Sequence, residues 1–292
     1  MSSEDRIDDS AAPLVEHLAE LRTRLIRSVL AFVVAMMACF TVAQPLLGFI
    51  QQPLIEVLAA RGQNPDLIFT APQEQFFVLV RISVIGGFAL SFPVIGHQLW
   101  RFVAPGLYTS EQNAFLPFLF ASPILFLLGA SFAHYVVTPL AMSFFIGFAD
   151  AIPQLTAYIT GTIPPALSEG STELRTVFLG SIRESTDLAL KFIFAFGLCF
   201  QLPVLLTLMG KAGLVSAEGL GNVRKWAVVG ILTLAALITP PDVITQIILF
   251  TVVYGLYEMS IQLVRIVEMR RDARLRDEGL LDDKDDEEDA KA

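Results

Sequence analysis

The sequence predicts an all-α polytopic membrane protein with six transmembrane helices, the last two of them short, and with both termini in the cytoplasm. Three observations support this fold class. Of the 292 residues, 54% are hydrophobic and only 17% are charged, whereas soluble domains carry about a quarter charged residues. Uncharged stretches recur at lengths that suit a bilayer crossing, which takes roughly 20 apolar residues as a helix. Basic residues also gather on one side of the resulting topology.

The six predicted spans form one transmembrane domain over residues 14–265. The third span lies in an uncharged stretch that is longer than one crossing needs, so part of it must tilt, bend or protrude. A short surface helix is expected over 51–61, and a long outer loop over 151–176. The approximate bounds of the spans are 25–49, 74–100, 113–145, 184–209, 224–239 and 243–262.

The last two spans are predicted to be short. Their uncharged cores, 226–241 and 243–257, would extend about 22–24 Å as helices, less than the ~30 Å hydrocarbon thickness. Pro240 and Pro241 have no N–H to donate, so they favour a tight outer hairpin between the spans. The alternative is one long kinked helix. Asp242 would cap the last span at its N-terminus.

Charge distribution sets the orientation of the predicted spans. Six spans place both termini on one side, which holds fifteen of the twenty Lys and Arg residues. The positive-inside rule therefore places both termini in the cytoplasm.

Both terminal segments are predicted to lie outside the folded domain. Residues 1–13 are expected to be disordered and lack the pattern of a removable signal peptide. Residues 266–292 are expected to form a cytoplasmic acidic tail, because Asp277–Ala292 contains nine acids and two lysines, a like-charge block that favours solvated disorder. The overall net charge of −9 is concentrated in Asp277–Ala292, which contributes −7 and leaves −2 for the rest of the chain. Nucleic-acid binding is not predicted.

The segment Val15–Arg27, just before the first span, has the pattern of an amphipathic helix at the membrane interface. Glu20 and Arg24 lie on its polar face at i, i+4 spacing, which allows an ion pair. This arrangement would hold the Glu20 carboxylate at the bilayer surface. The alternative interpretation is a basic anchor with helix-stabilising ion pairs.

Five sequence stretches resemble a known family, TatC, the core subunit of the twin-arginine protein translocase. They occur in the family's order and on the expected sides of the membrane, and their combination is very specific. The stretches are HLAELRTRLI at 17–26, QPL at 52–54, HQLWRFVAPGLYTSE at 97–111, GLCFQLPV at 197–204 and LITPPDVITQ at 237–246.

The resemblance implies a protein of the bacterial cytoplasmic (inner) membrane that binds signal peptides with two consecutive arginines. Such a protein helps to move folded proteins across the membrane, driven by the proton gradient. The implied partners are TatA- and TatB-type single-span subunits, twin-arginine signal peptides and membrane lipids, within a homo- and hetero-oligomer.

By the same resemblance, Glu20 and Glu111 form the acidic receptor patch. Guanidinium groups prefer carboxylates in bidentate, charge-assisted geometry, so this chemistry suits a pair of arginines. Each acid also has an ordinary structural explanation. Glu20 could pair with Arg24, and Glu111 could stabilise the first turn of the third span.

Other motif positions surround these acids. Arg22 and Arg24 are expected to orient the acids or to hold lipid phosphates. Phe102 is assigned to the same site, but with Pro105 it is expected to shape the loop more than to touch cargo. Pro53 matches a motif position in the first outer loop, where the start of a surface helix is its ordinary explanation.

Gln201, in the middle of the fourth span, occupies a position where many relatives have Glu. Glutamine can hydrogen-bond across helices but cannot titrate, so a proton-carrying role is not expected here. A docking point for a partner helix and an internal interhelical hydrogen bond both remain open. Thr245 and Gln246 lie near the outer hairpin of Pro241 and Asp242, and are expected to extend the polar strip.

Two other function classes, a secondary transporter and a membrane-embedded enzyme, fit the sequence less well. A secondary transporter would have inverted repeats and broken helices around a midplane site, and the sequence has no such repeat. A membrane-embedded enzyme would need a nucleophile and base, and none is evident. The three histidines are scattered over different segments, so neither a metal nor a cofactor is predicted.

Overall fold

The computed structural model describes residues 3–103, 116–160, 180–239 and 243–277. The chain divides into two compact units, Met1–Gly197 and Leu198–Ala292. The helices are α1 Ser3–Thr41, α2 Ala43–Ala60, α3 Glu74–Val103, α4 Leu116–Phe132, α5 Thr138–Thr160, α6 Ile182–Cys199, α7 Leu202–Lys211, α8 Ala217–Asn222, α9 Arg224–Ile238 and α10 Val243–Asp277; the strands are β1 Leu67–Ile68 and β2 Gly180–Ser181.

Five helical segments of the described chain are long and apolar enough to cross a membrane. They are Ala19–Thr41, Glu74–Leu99, Ala121–Phe148, Ile182–Lys211 and Val243–Ala273. The protein is therefore an all-α, multi-pass membrane protein, as the sequence predicted. The predicted fifth span corresponds to α9, which has only 15 residues.

The first predicted span, 25–49, is wrong at its far end. Helix α1 ends at Thr41 and α2 begins at Ala43. Pro45 has no N–H, so it cannot continue the ladder of α1 by donating to Thr41, and the helix breaks there. Helix α2 thus starts eight residues before the surface helix predicted over 51–61. At the other end, α1 begins at Ser3 rather than after a disordered segment 1–13, and several acids in those residues suit a helix N-terminus.

Helix α3 covers the residues of the second predicted span, 74–100, and packs against α1. A glycine sets the closeness of this packing. A Cβ built at Gly87 would lie 2.6 Å from the Met36 Cα, so only glycine lets the two backbones approach this closely. The thiol of Cys39 lies beside Gly86 in the same contact, and this cysteine is buried.

A π-helical turn, Ala133–Val137, interrupts the long third stretch between α4 and α5. Pro139 follows two residues after this turn, and its missing N–H removes a regular helical hydrogen bond. The Thr138 hydroxyl donates to the Ala133 carbonyl at 2.9 Å, which satisfies one acceptor of the irregular turn. Helix α5 continues to Thr160, so the first part of the predicted loop 151–176 is helical.

The core of the first unit lies where α2 meets α3, α5 and α6. One cluster joins α2 to α3 and α6, and a second joins α2 to α5. Helix α2 is therefore a packed internal element rather than a helix that only lies on the surface. The clusters contain Ala43, Leu47, Ile50, Val78, Ile82, Ala189 and Leu190, and Leu54, Leu58, Met142 and Ile146.

The fourth predicted span, 184–209, is interrupted. Helix α6 ends at Cys199, Phe200 and Gln201 form a turn, and α7 begins at Leu202. Pro203 cannot donate to the Cys199 carbonyl, which explains the break. The sequence placed Gln201 beside this proline but did not predict the interruption.

In the second unit, α7, α8 and α9 all pack on α10. Helix α10 extends beyond the predicted last span, 243–262, because it runs for 35 residues to Asp277. Glu, Arg, Leu and Met are good helix formers and follow the apolar core without an intervening proline, so the helix continues beyond it. Much of the predicted tail's first part, 266–277, is consequently helical.

Candidate functional site

Glu20 lies on α1, at the polar end of the first candidate span. Its Oε1 atom accepts hydrogen bonds from Arg24 Nε, at 3.0 Å, and from Arg24 Nη2. This confirms the i, i+4 ion pair that the sequence allowed. The Glu20 side chain is 36% exposed, whereas that of Arg24 is 13% exposed. The carboxylate is thus accessible while its resident partner is largely covered.

The backbone around this pair is regular helix, and two of its carbonyls accept a further hydrogen bond from a hydroxyl one turn later. Thr23 Oγ1 donates to the Ala19 carbonyl and Ser28 Oγ donates to the Arg24 carbonyl, both at 3.0 Å. Arg22 is exposed on the same helix. The local sequence therefore presents one acid and two arginines within a little more than one turn of α1.

Several predicted site residues lie outside the described part of the chain. These are Glu111, Pro105, Pro241 and Asp242. Phe102 belongs to the last turn of α3, but the structure does not describe its side chain. Whether Glu111 lies close to Glu20 stays a prediction.

Pro53 is not at the start of a helix. It lies in the interior of α2 and is buried. Since α2 begins at Ala43, the prediction that Pro53 starts a surface helix is wrong. Its neighbour Gln51 is the polar residue that matters for packing here. The Gln51 amide nitrogen donates to Ser185 Oγ at 2.9 Å and to Thr186 Oγ1 at 2.6 Å.

Gln201 and Gln246, two residues of the predicted polar strip, do not lie at the same height along the helices of the second unit. Gly210 of α7 packs on Val264 of α10, and Gly213 lies near Arg271, so the two helices run in the same direction. Gln201 precedes Gly210 by nine residues and Gln246 precedes Val264 by eighteen. At 1.5 Å per residue they lie about 13 Å apart along the helices.

The three residues of this strip also differ in exposure. Gln201 and Gln246 are half-buried, so each keeps some surface that another helix could contact. Thr245 is fully buried within its own chain. The prediction that Thr245 faces a partner helix is therefore not supported, because a small β-branched residue near the start of α10 packs inward instead.

Sequence reasoning missed the acid with the largest hydrogen-bond network in the described chain, Glu74. This first residue of α3 is 4% exposed. Its Oε2 atom accepts from the Thr70 N–H and hydroxyl, each at 2.7 Å, and from the Ala71 N–H at 3.3 Å. Its Oε1 atom accepts from Ser181 Oγ and the Arg183 N–H, each at 3.1 Å.

Glu74 thereby joins two distant segments of the first unit. The same segments form a short parallel ladder, in which Leu67 pairs with Gly180 and Ile68 with Ser181. An acid at a helix start after Thr70 and Pro72 was the available sequence signal for the local part. The contacts to Ser181 and Arg183 come from more than a hundred residues away and leave no local pattern.

Two further ion pairs join helices of the described chain. Within the first unit, Arg81 of α3 pairs with Asp187 of α6. Within the second, Arg224 of α9 binds Glu258 of α10 through Nε at 2.8 Å and Nη2 at 3.0 Å, and the Tyr254 hydroxyl donates to the same carboxylate. Each ion pair joins two helices, and the sequence did not predict either of them.

Together these features define the class: a multi-pass helical membrane protein with an accessible carboxylate at the polar end of its first span. Among the described residues, no group of three or more His, Cys, Asp or Glu side chains could hold a metal ion. The family model of the Sec-independent protein translocase protein (TatC) matches residues 16–251. The chain therefore belongs to the TatC family, whose members are components of a protein translocase.

Similarity to individual relatives extends over most of the chain. It is 40% identical over 263 residues to the TatC protein of Magnetococcus marinus, covering 90% of this chain and 88% of the relative. It is 34% identical over 259 residues to TatC of Aquifex aeolicus, covering 89% and 97%. A crystal structure of the twin arginine translocase receptor TatC superposes with a TM-score of 0.67 at 34% identity, covering 86% of this chain and 99% of the other.

Proposed function

We propose that this TatC-family protein binds the twin-arginine signal peptide of folded precursor proteins on the cytoplasmic face of the bacterial inner membrane. With TatA- and TatB-type single-span subunits it would support their proton-gradient-driven transport across that membrane. The observation that best supports this role is the accessible Glu20 carboxylate beside a largely covered Arg24. The family membership and the likeness to a solved twin arginine translocase receptor point the same way.

Exchanging partners at Glu20 costs little. An exposed i, i+4 ion pair on a helix contributes only about 0.3–0.5 kcal/mol. An incoming guanidinium makes the same kind of charge-assisted hydrogen bond to the carboxylate. A ligand arginine can therefore displace or share the resident partner at small cost. Glu111, on the loop after α3, would supply the second carboxylate for the second arginine.

The proposed topology has six crossings with both termini in the cytoplasm. Helix α9 would make the fifth crossing with 15 residues, which extend about 22 Å and would require local thinning of the bilayer. Single cysteines placed in the 62–66 turn and at residue 276, near the end of α10, in a background without Cys39 and Cys199, test this topology. A membrane-impermeant thiol reagent added outside should label the 62–66 turn and leave position 276 unlabelled. Labelling at both positions would mean that α9 does not cross.

Partner subunits are proposed to dock near Gln201 and Gln246. Both side chains are half-buried, and polar side chains in hydrocarbon gain by hydrogen-bonding to another helix. Because the two residues differ by about 13 Å in depth, one tilted single-span helix could contact both. Photo-crosslinkers placed at Gln201 and Gln246 should each capture a single-span subunit, and capture from neither would contradict the docking proposal.

The receptor role is tested by crosslinking a twin-arginine signal peptide to membranes that contain the protein. Glu20→Ala and Glu111→Ala should each reduce crosslinking, and the double variant should abolish it. Glu56→Ala is a matched control, because Glu56 is an exposed acid on α2 that accepts a hydrogen bond from Gln52. Retained crosslinking in the double variant would contradict the proposal.

A second signal peptide distinguishes the receptor from a transporter of small solutes. Replacing the arginine pair by Lys-Lys keeps the charge but removes the planar, bidentate donors. A receptor should lose most crosslinking to this peptide. Equal crosslinking of both peptides would show that charge alone suffices and would contradict guanidinium recognition.

A further inference from the structure

A groove in the first unit runs along the contact of α1 with α3. Its volume is about 520 Å³, and its lining is almost entirely apolar. Helix α1 contributes three alanines, Ala31, Ala35 and Ala38, whose small side chains leave space. Leu90 and Val94 of α3 line the opposite side and are 61% and 42% exposed. The groove is therefore open to the surroundings of the helix pair.

One charged residue, Arg27, lies among the residues that line this groove. It is exposed, and no hydrogen bond or ion pair joins its guanidinium to another described residue. Arg24, one turn earlier, differs because it is paired with Glu20. Arg27 thus presents an uncompensated cation next to an apolar channel, and this combination matches an amphiphile with an anionic head.

The length of the groove identifies the kind of amphiphile. Arg27 and Ala38 are eleven residues apart on α1, which corresponds to about 16 Å. The hydrocarbon core of a bilayer is ~30 Å thick, so this is about the depth of one leaflet. A single-span partner helix would need a surface along the whole thickness. A lipid of one leaflet needs only this depth, with its head at the charged end.

We propose that this groove binds one acyl chain of an anionic glycerophospholipid whose phosphate contacts Arg27. The guanidinium offers two parallel N–H donors that fit phosphate oxygens. The acyl chain lies along Ala31, Ala35 and Ala38 and makes dispersion contacts with these small side chains. The site is separate from the carboxylate of Glu20 and does not depend on the signal-peptide role.

Native mass spectrometry of the full chain, purified in detergent and supplied with phosphatidylglycerol, tests the site. The unaltered protein should retain one tightly held phosphatidylglycerol. Arg27→Gln should reduce the retained fraction about tenfold, since it removes a charge-assisted contact. Arg265→Gln is the matched control, because Arg265 is an exposed arginine of α10 that does not line the groove. It should leave retention unchanged.

A second pair of variants tests the apolar part without touching the charge. Ala38→Leu places a larger side chain in the groove and should reduce retention several-fold. Val33→Leu enlarges an exposed α1 residue outside the groove and should have no effect. Both positions are exposed, so neither change is expected to disturb folding.

The identity of the ligand is tested with two further compounds. Glycerol 3-phosphate has the phosphate but no acyl chain, and should not be retained. Phosphatidylcholine has the chains but no net charge, and should be retained at least several-fold less than phosphatidylglycerol. Equal retention of the two phospholipids, or unchanged retention in both Arg27→Gln and Ala38→Leu, would overturn the proposal.

Discussion

Glu20 and Glu74 are both carboxylates at the polar ends of spans in the first unit, but their surroundings are opposite. Glu20 is 36% exposed, and an arginine of its own helix pairs with it. Glu74 is 4% exposed and accepts five hydrogen bonds from four residues, two of which lie more than a hundred residues away.

The difference between these acids separates a carboxylate that can exchange partners from one that cannot. Removing an arginine from Glu20 leaves a charge that water or a ligand can solvate. Removing donors from Glu74 leaves buried polar groups without partners, and this costs the full desolvation penalty of each group. Glu20 is therefore suited to recognition and Glu74 to holding the fold.

The largest expected effect is on stability, from Glu74→Ala. The change leaves the N–H groups of Thr70, Ala71 and Arg183 without their acceptor. We expect the midpoint of thermal unfolding in detergent to fall by about 8 °C or more. Glu56→Ala, which removes an exposed acid, should shift it by no more than about 2 °C. Equal shifts in the two variants would contradict the structural role of Glu74.

The next effect is on binding, from Glu20→Gln. This change keeps the shape of the side chain but removes its charge, so the affinity for a twin-arginine signal peptide should fall by about tenfold to a hundredfold. The unfolding midpoint should hardly change, because the lost ion pair contributes only about 0.3–0.5 kcal/mol. Fluorescence anisotropy of a labelled peptide measures the affinity. A large loss of stability with intact binding would mean that Glu20 stabilises the fold and does not bind the signal peptide.

A third variant asks whether Glu20 must be held in place by the α1–α3 contact. In Gly87→Ala the new methyl group would lie 2.6 Å from the Met36 backbone, so the helices must separate. We expect a loss of about 1–3 kcal/mol in stability and a weaker affinity for the signal peptide.

Gly96→Ala is the control for this change, because a Cβ there meets no atom within 4 Å. It should be neutral or should stabilise α3 by roughly 0.5–1 kcal/mol. If Gly87→Ala lowers stability but leaves peptide affinity intact, the receptor acid does not depend on the helix contact.

The parts of the fold that the sequence predicted well are those governed by local composition. Uncharged runs identified the membrane class, and the second span, 74–100, agrees with α3. The breaks at Val42 and at Phe200–Gln201 were missed, although Pro45 and Pro203 follow them closely. A proline in an apolar run can kink, end or leave a helix nearly straight, and packing decides among these outcomes.

The candidate site shows the same division. The Glu20–Arg24 pair follows from i, i+4 spacing and was predictable, whereas the inward orientation of Thr245 depends on how α10 packs within the second unit. Glu74 could be recognised from sequence only as an acid at a helix start. Its importance comes from Ser181 and Arg183, which the fold brings to it from another segment.

The smallest expected effect removes one donor from the Glu74 network. Thr70→Val eliminates the hydroxyl that donates to Oε2 at 2.7 Å but keeps the Thr70 N–H bond to the same oxygen. The midpoint of thermal unfolding should fall by about 2–4 °C, since one hydrogen bond to a charged group is lost while the carboxylate keeps its other donors. Thr233→Val is the control, because the exposed Thr233 hydroxyl donates only to the Val229 carbonyl of its own helix, and its midpoint should not change. Signal-peptide affinity should be unaltered in both variants. If the unfolding midpoint of Thr70→Val falls as far as that of Glu74→Ala, the hydrogen-bond network is cooperative. Glu74 would then differ from Glu20 by more than the number of its hydrogen-bond donors.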